Sequence, residues 1–247
     1  MDTFERARRL TEAARRITAL TGAGISTDSG IPDYRGPKGV WTRNPGAEKM
    51  ATLSHYLADP EIRRASWRNR LDSPAWDAQP NAGHRALVTL EQQGRLRAVV
   101  TQNIDELHQR AGSTPELVVE LHGTMRFVVC WSCGERAPME RALERVRSGD
   151  DDPHCQSCGG ILKSDTISFG QALDPSVLAA AEAAVADCDL LLAIGSSLSV
   201  YPAAGLVPLA ERIGSPVIII NAQPTPFDEM AAAVLRGPIG EILPALV

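Results

Sequence analysis

Five short runs rich in Val, Ile and Leu recur along the chain: RRITALTG, LRAVVTQN, ELVVELHG, CDLLLAIGSS and SPVIIINAQ. They limit the fold more than any other feature. Strands covered by helices on both faces read as continuous apolar runs rather than as alternating ones. Between them lie helical patterns at Gly83 to Gln93, Asp105 to Ala111, Pro175 to Ala186 and Ala203 to Ile213, and an amphipathic N-terminal stretch with Phe4, Ala7, Leu10 and Ala14 on one face. Glycine follows three of these patterns, at Gly94, Gly112 and Gly214, as a left-handed helix stop requires. The alternation predicts an α/β fold with a mostly parallel sheet.

Two segments break the alternation. Residues 37–80 carry GPKG, RNPG and DSPAWDAQP, and residues 126–165 carry four of the five cysteines. Both are read as insertions that pack together as a smaller module. Cys130-Trp131-Ser132-Cys133 and Cys155-Gln156-Ser157-Cys158 are separated by 21 residues, close to the spacing of a four-cysteine zinc site. Four thiolates close the coordination shell, so the metal is structural. The competing reading, one redox pair and one incidental pair, leaves the second pair unexplained. His154 is read as a solvated loop histidine and Cys188 as a core thiol.

The first strand ends in Gly22-Ala23-Gly24, like the first two glycines of a phosphate-binding turn, but Thr27 stands where the third belongs. The turn either lets a pyrophosphate approach its amides or has glycines for steric reasons alone. In an open α/β sheet ligands gather beyond the carboxyl ends of the strands. The other ends here offer Gln102-Asn103-Ile104-Asp105, His122-Gly123, Gly195-Ser196-Ser197 and Asn221. Separately, Asn103 or Asp105 could cap a helix and His122 could be a core imidazole. Together they predict one cleft.

The formal net charge of −5 argues against non-specific nucleic-acid binding. The uncharged run Leu190 to Ala210 is interrupted by Gly195, Pro202, Gly205 and Pro208, which argues against a membrane helix. The charged N-terminus lacks the apolar core of a signal peptide, and the expected location is cytoplasmic.

The run GAGISTDSGIPDYRG, TQNIDELH, the His122-Gly123 pair, the two C-x-x-C pairs, SFG and GSSLSVYPA occur in one order between Leu20 and Asn221. Together they resemble the sirtuin family of NAD-dependent protein-lysine deacylases. The resemblance implies a Rossmann-like NAD-binding domain of residues 1–36, 81–125 and 166–247, with a small helical and zinc-ribbon module from 37–80 and 126–165. It implies NAD contacts at Gly22, Ala23, Gly24, Ile25, Thr27, Asp33, Tyr34, Arg35, Gln102, Asn103, Ile104, Asp105, His122, Gly195, Ser196, Ser197 and Asn221. It makes His122 the general base, Asp105 the group holding nicotinamide and Asn103 the group ordering ribose and water. Phe169, Gly170, Leu198, Val200 and Tyr201 would flank an extended acyl-lysine peptide. Trp67 and Arg70 stand where desuccinylating members carry Tyr and Arg; they either meet an acidic acyl group or are a packed tryptophan and a surface arginine. Gln171 stands where the family often has Glu. A protein mono-ADP-ribosyltransferase and a non-catalytic zinc-ribbon binding module are the competing readings.

Overall fold

The computed structural model describes residues 2–37, 39–44 and 46–247. Its strands are β1 (Ile17–Thr21), β2 (Leu96–Thr101), β3 (Val118–Glu120), β4 (Gly123–Cys130), β5 (Arg136–Pro138), β6 (Leu162–Thr166), β7 (Leu190–Ile194), β8 (Val217–Ile220) and β9 (Ala233–Leu235). Six of them form one sheet in the order β3-β2-β1-β7-β8-β9, parallel throughout. The five apolar runs supply its first five strands in chain order. β9 has no counterpart in the sequence reading, because three residues at a sheet edge carry too little pattern to register.

Period-two side-chain placement divides the core between the two faces of this sheet. Ile218 and Ile220 of β8 join Ile17, Ala19, Leu192 and Ile194 in one cluster, under the helices Thr3–Ala13 and Ala82–Gln92. Val217 and Ile219 join Leu20, Leu191 and Ala193 in the other, under the helices Pro175–Ala186 and Leu206–Arg212. Cys188 lies buried in this second cluster, as expected.

Local chemistry sets the helix limits. Asp174 accepts from the Ser176 amide just ahead of Pro175, and Asn81 and His84 form a reciprocal cap at the start of Ala82–Gln92. The pattern read as a helix from Asp105 begins only at Leu107, since Glu106 is left-handed at φ 59°. The pattern from Ala203 divides into a 3₁₀ turn, Ala203–Gly205, and the helix Leu206–Arg212.

The smaller sheet, β5-β4-β6, is antiparallel and has its own core of Trp67, Val128, Cys130, Met139, Leu143 and Leu162. Trp67 comes from the helix Pro60–Leu71, so the two insertions share one core. The Tyr56 hydroxyl donates to Leu162 O at 2.8 Å, and a nearly buried Arg63–Asp152 ion pair at 2.9 Å joins the same segments. The limits at 126 and 165 fall inside β4 and β6, which pair as far as Gly123 and Thr166. Among the described residues no helix is long and apolar enough to cross a membrane.

Candidate active site and metal centre

β1 lies at the middle of the large sheet. The chain proceeds from it to β2 and β3 on one side and resumes at β7 on the other. This reversal of strand order opens a crevice beyond the carboxyl ends of β1 and β7, where such sheets place their ligands. The Gly22–Gly24 turn and Gly195 form its floor and touch. The amides of Gly22 and Gly24 donate to Ile194 O at 3.0 Å and Gly195 O at 2.8 Å. A Cβ at Gly24 would stand 2.7 Å from Gly195 Cα, and one at Gly195, where φ is 63°, would stand 2.4 Å from the Ile25 nitrogen. The steric account of these glycines therefore holds. The expectation that their own amides face a phosphate is corrected for Gly22 and Gly24, because a backbone carbonyl already takes each N–H.

Beyond the turn the chain enters a 3₁₀ helix, Ala23–Ser29, stopped by Gly30 at φ 86°. Thr27, in place of a third glycine, bonds back to Gly24 O at 2.9 Å. The helix buries Ile25 and Ser26. Ser26, absent from the sequence-based site, sits at its centre: its hydroxyl donates to Asp105 Oδ2 at 2.7 Å and accepts from Asn103 Nδ2 at 3.2 Å. Asn103 Nδ2 also reaches Gly22 O at 3.2 Å. Asp105 Oδ1 takes the Leu107 amide at 3.0 Å, so Asp105 does hold the start of the Leu107–Ala111 helix. Burial raises the Asp105 carboxyl above its ordinary pKa, against the lowering by its Leu107 and Ser26 donors.

His122 follows β3. Its Nδ1 lies 3.0 Å from Gln102 O. A carbonyl only accepts, so Nδ1 carries the proton and Nε2 of the neutral ring has the free lone pair. Burial lowers the His122 pKa, opposed in part by that carbonyl. Gln102 Nε2 in turn donates to Ser196 Oγ at 2.9 Å, joining the β2 and β7 ends. Ile104 O accepts from the Met125 amide. Ser197 bonds Ser199 at 2.8 Å, and Asn221, past β8, bonds Gln223 O.

Asp33, Tyr34 and Arg35 form a turn closed by Gly36 N donating to Asp33 Oδ1. Trp41, which sequence reasoning also missed, gathers this segment: Tyr34 lies 4.8 Å from its ring, Arg35 4.5 Å and Phe169 5.5 Å. Both backbone groups of Phe169 bond the Ala51–Leu53 segment. Gly170 follows at φ 82°, Val200 is half-buried and Tyr201 is 67% exposed. The Leu198 side chain is buried in the core, so that residue can offer only main-chain groups to a ligand. Leu198 and Glu106 are the non-glycine residues with positive φ among the described ones; Glu106 directly follows Asp105, and Leu198 follows Ser196 and Ser197. Such conformations cost about 1–3 kcal/mol each. Trp67 is wholly buried, and Arg70 lies over the Tyr56 and Trp67 rings at 5.6 and 5.3 Å.

The sulfurs of Cys130, Cys133, Cys155 and Cys158 lie within 4.8 Å of one another. Cys130 to Cys158 is 3.5 Å and Cys133 to Cys155 is 3.8 Å. A tetrahedron with zinc–sulfur bonds of about 2.3 Å has edges of about 3.8 Å, whereas a disulfide needs about 2 Å. The donor set fits a structural zinc ion. His154 lies outside the cluster, exposed and bonded to Gly159 O.

The model of the Sir2 family matches residues 22–202. NAD-dependent protein deacetylase 2 of Streptomyces coelicolor is 53% identical over 231 residues, covering 94% of this chain and 96% of that protein. NAD-dependent protein deacylase 2 of Pyrobaculum aerophilum is 39% identical over 240 residues, covering 96% and 92%. A solved structure of Sir2 with a p53 peptide and NAD+ superposes with a TM-score of 0.88 at 35% identity, over 100% of this chain and 97% of that one. Fold, crevice, cysteine cluster and relatives agree: the chain belongs to the Sir2 family.

Proposed function

We propose that this chain is an NAD-dependent protein-lysine deacylase, acting on acetyl-lysine among its substrates and releasing nicotinamide, the free lysine and O-acyl-ADP-ribose. The observation that carries the reading is a neutral His122 held by Gln102 O at the crevice that Asn103, Asp105 and Ser26 also enter. NAD, when bound, would supply a ribose carbon carrying a cationic nicotinamide ring that can depart as neutral nicotinamide, and it would accept the acyl group. Asn103 and Asp105 are fixed by Ser26, Gly22 O and the Leu107 amide, so Asn103 Oδ1 and the second lone pairs of the Asp105 oxygens are oriented in advance for ribose and carboxamide. His122 Nε2 takes a proton from a ribose hydroxyl; its depressed pKa keeps the ring neutral at pH 7. Tyr34, Arg35 and Trp41 form a cover that excludes water. Gly195, Ser196, Ser197 and Asn221 line the rest of the cofactor crevice. The peptide lies between Phe169-Gly170 and the backbone of Leu198 to Tyr201, paired as an added strand.

The six-stranded part is the cofactor-binding domain, and the cysteine sheet with the helical insertion is the second module. Reduced cysteines holding zinc support a cytoplasmic location, and the net charge of −5 gives no support to nucleic-acid binding.

Mass spectrometry of acetyl-lysine and succinyl-lysine peptides, with and without NAD, tests the reading. NAD-dependent acyl loss with O-acyl-ADP-ribose is expected from the native chain, and none from His122→Ala at unchanged melting temperature. ADP-ribose on protein without acyl loss would favour the transferase. No NAD-dependent product from any acyl peptide would favour a binding module.

A further inference from the structure

Glu106 follows the aspartate that faces the crevice and is left-handed, at φ 59° and ψ 16°. A side chain with a Cβ resists this conformation, and asparagine or glycine would adopt it more readily. The glutamate carboxylate is held on β4. Thr124 Oγ1 donates to Glu106 Oε1 at 3.2 Å, and Arg126 Nε lies 3.0 Å from Glu106 Oε2. The second contact is ionic rather than a directed hydrogen bond, since the Nε–H is not aimed at the oxygen. Both side chains are about three-quarters shielded, at 26% and 27% exposure. The Arg126 guanidinium in turn lies 5.1 Å from the Trp76 ring, which packs against the core of the smaller module. The main chain repeats the connection, with the Met125 amide donating to Ile104 O at 3.0 Å.

We infer that Glu106 is a positioning residue: its carboxylate, clamped by Thr124 and Arg126 on β4, holds the strained turn that aims Asp105 at nicotinamide. The clamp offsets the cost of the left-handed turn, and the turn fixes Asp105 through the Leu107 amide. Because β4 runs from the catalytic histidine to a cysteine of the metal cluster, the clamp also ties the aim of Asp105 to the smaller module. The inference rests on the assignment of Asp105 to nicotinamide.

Steady-state kinetics of the full-length, zinc-loaded chain test it, with KM for NAD, the nicotinamide inhibition constant and KM for acetyl-peptide measured for each variant. Glu106→Ala removes the clamp and keeps the conformational cost, so KM for NAD and the nicotinamide constant should each rise about fivefold, the scale on which contacting residues couple. The peptide KM should stay within twofold. Glu106→Gly also removes the clamp but tolerates the turn, so it should lie within about twofold of the native chain. Thr124→Val and Arg126→Met should move the same two constants in the same direction. If Glu106→Ala does not fold, the Thr124→Val result decides. Equal loss in the Ala and Gly variants would mean that the carboxylate acts directly, and overturn the inference. So would native constants in Glu106→Ala beside an impaired Asp105→Asn. Native nicotinamide inhibition in Asp105→Asn would instead remove the assignment on which the inference stands.

Discussion

At the scale of single residues, burial holds three imidazoles neutral. His122 can act as a base only without its second proton, and its pKa lies below the ordinary 6.5 because burial outweighs the Gln102 carbonyl. Its kcat/KM should therefore be flat from pH 8 through 7 and fall only below about 6.5. An acid limb centred above pH 7 would contradict this environment. The His84 and His108 rings pack tilted at 59° with centres 4.9 Å apart, and His108 bonds Thr21, at the end of β1, at 3.0 Å. Burial lowers them to about 4 and about 3. The unfolded chain takes up these protons near pH 6.5 and the folded one does not, so their contribution is complete above that pH and is lost as pH falls toward 3. Melting temperature should fall between pH 7 and 4. His108→Gln, which still offers Thr21 a partner, should make that fall shallower; an unchanged slope would exclude the histidine.

At the scale of elements, loop contact accounts for the half fingerprint. The ends of β1 and β7 approach so closely that Gly24 and Gly195 have no room for a side chain. Gly24→Ala must push the two loops apart, costing about 1–3 kcal/mol of stability and widening the cofactor floor. The expected result is a lower melting temperature together with weaker NAD binding by calorimetry. Unchanged values for both would show that the loops yield without cost. The runs that became strands were legible because burial on both faces demands continuous Val, Ile and Leu. Ser26, Trp41 and Glu106 were not legible, because a serine in a glycine turn, a tryptophan in a loop and a glutamate before a helix have ordinary local explanations.

At the scale of the whole molecule, β4 links the two halves physically: it starts beside His122 and ends at Cys130. Metal loss should therefore act at a distance. Cys130→Ala should abolish stoichiometric zinc and lower stability by about 4 kcal/mol or more, the range of metal-site losses. Deacylation should fall with it, although no cysteine of the cluster enters the crevice. Atomic absorption beside a thermal melt checks this; a variant with full zinc content and native melting would refute the four-thiolate site.

What the sequence determined by itself was whatever is encoded locally: strand runs, helix caps, the C-x-x-C spacing, and the polar residues at strand ends. These follow from backbone geometry and side-chain periodicity, which act over a few residues. The tertiary structure decided how distant segments meet. Gly24 and Gly195 are far apart in sequence yet in steric contact, Ser26 bridges Asn103 and Asp105, and Glu106 finds Thr124 and Arg126 across a strand. It also took the amides of Gly22 and Gly24 for the protein's own carbonyls. The glycine and Ser26 contacts arise from the order β3-β2-β1-β7-β8-β9, which brings strand ends together regardless of their separation along the chain, and the Glu106 contacts from β4 of the smaller sheet leaving beside the same strand ends.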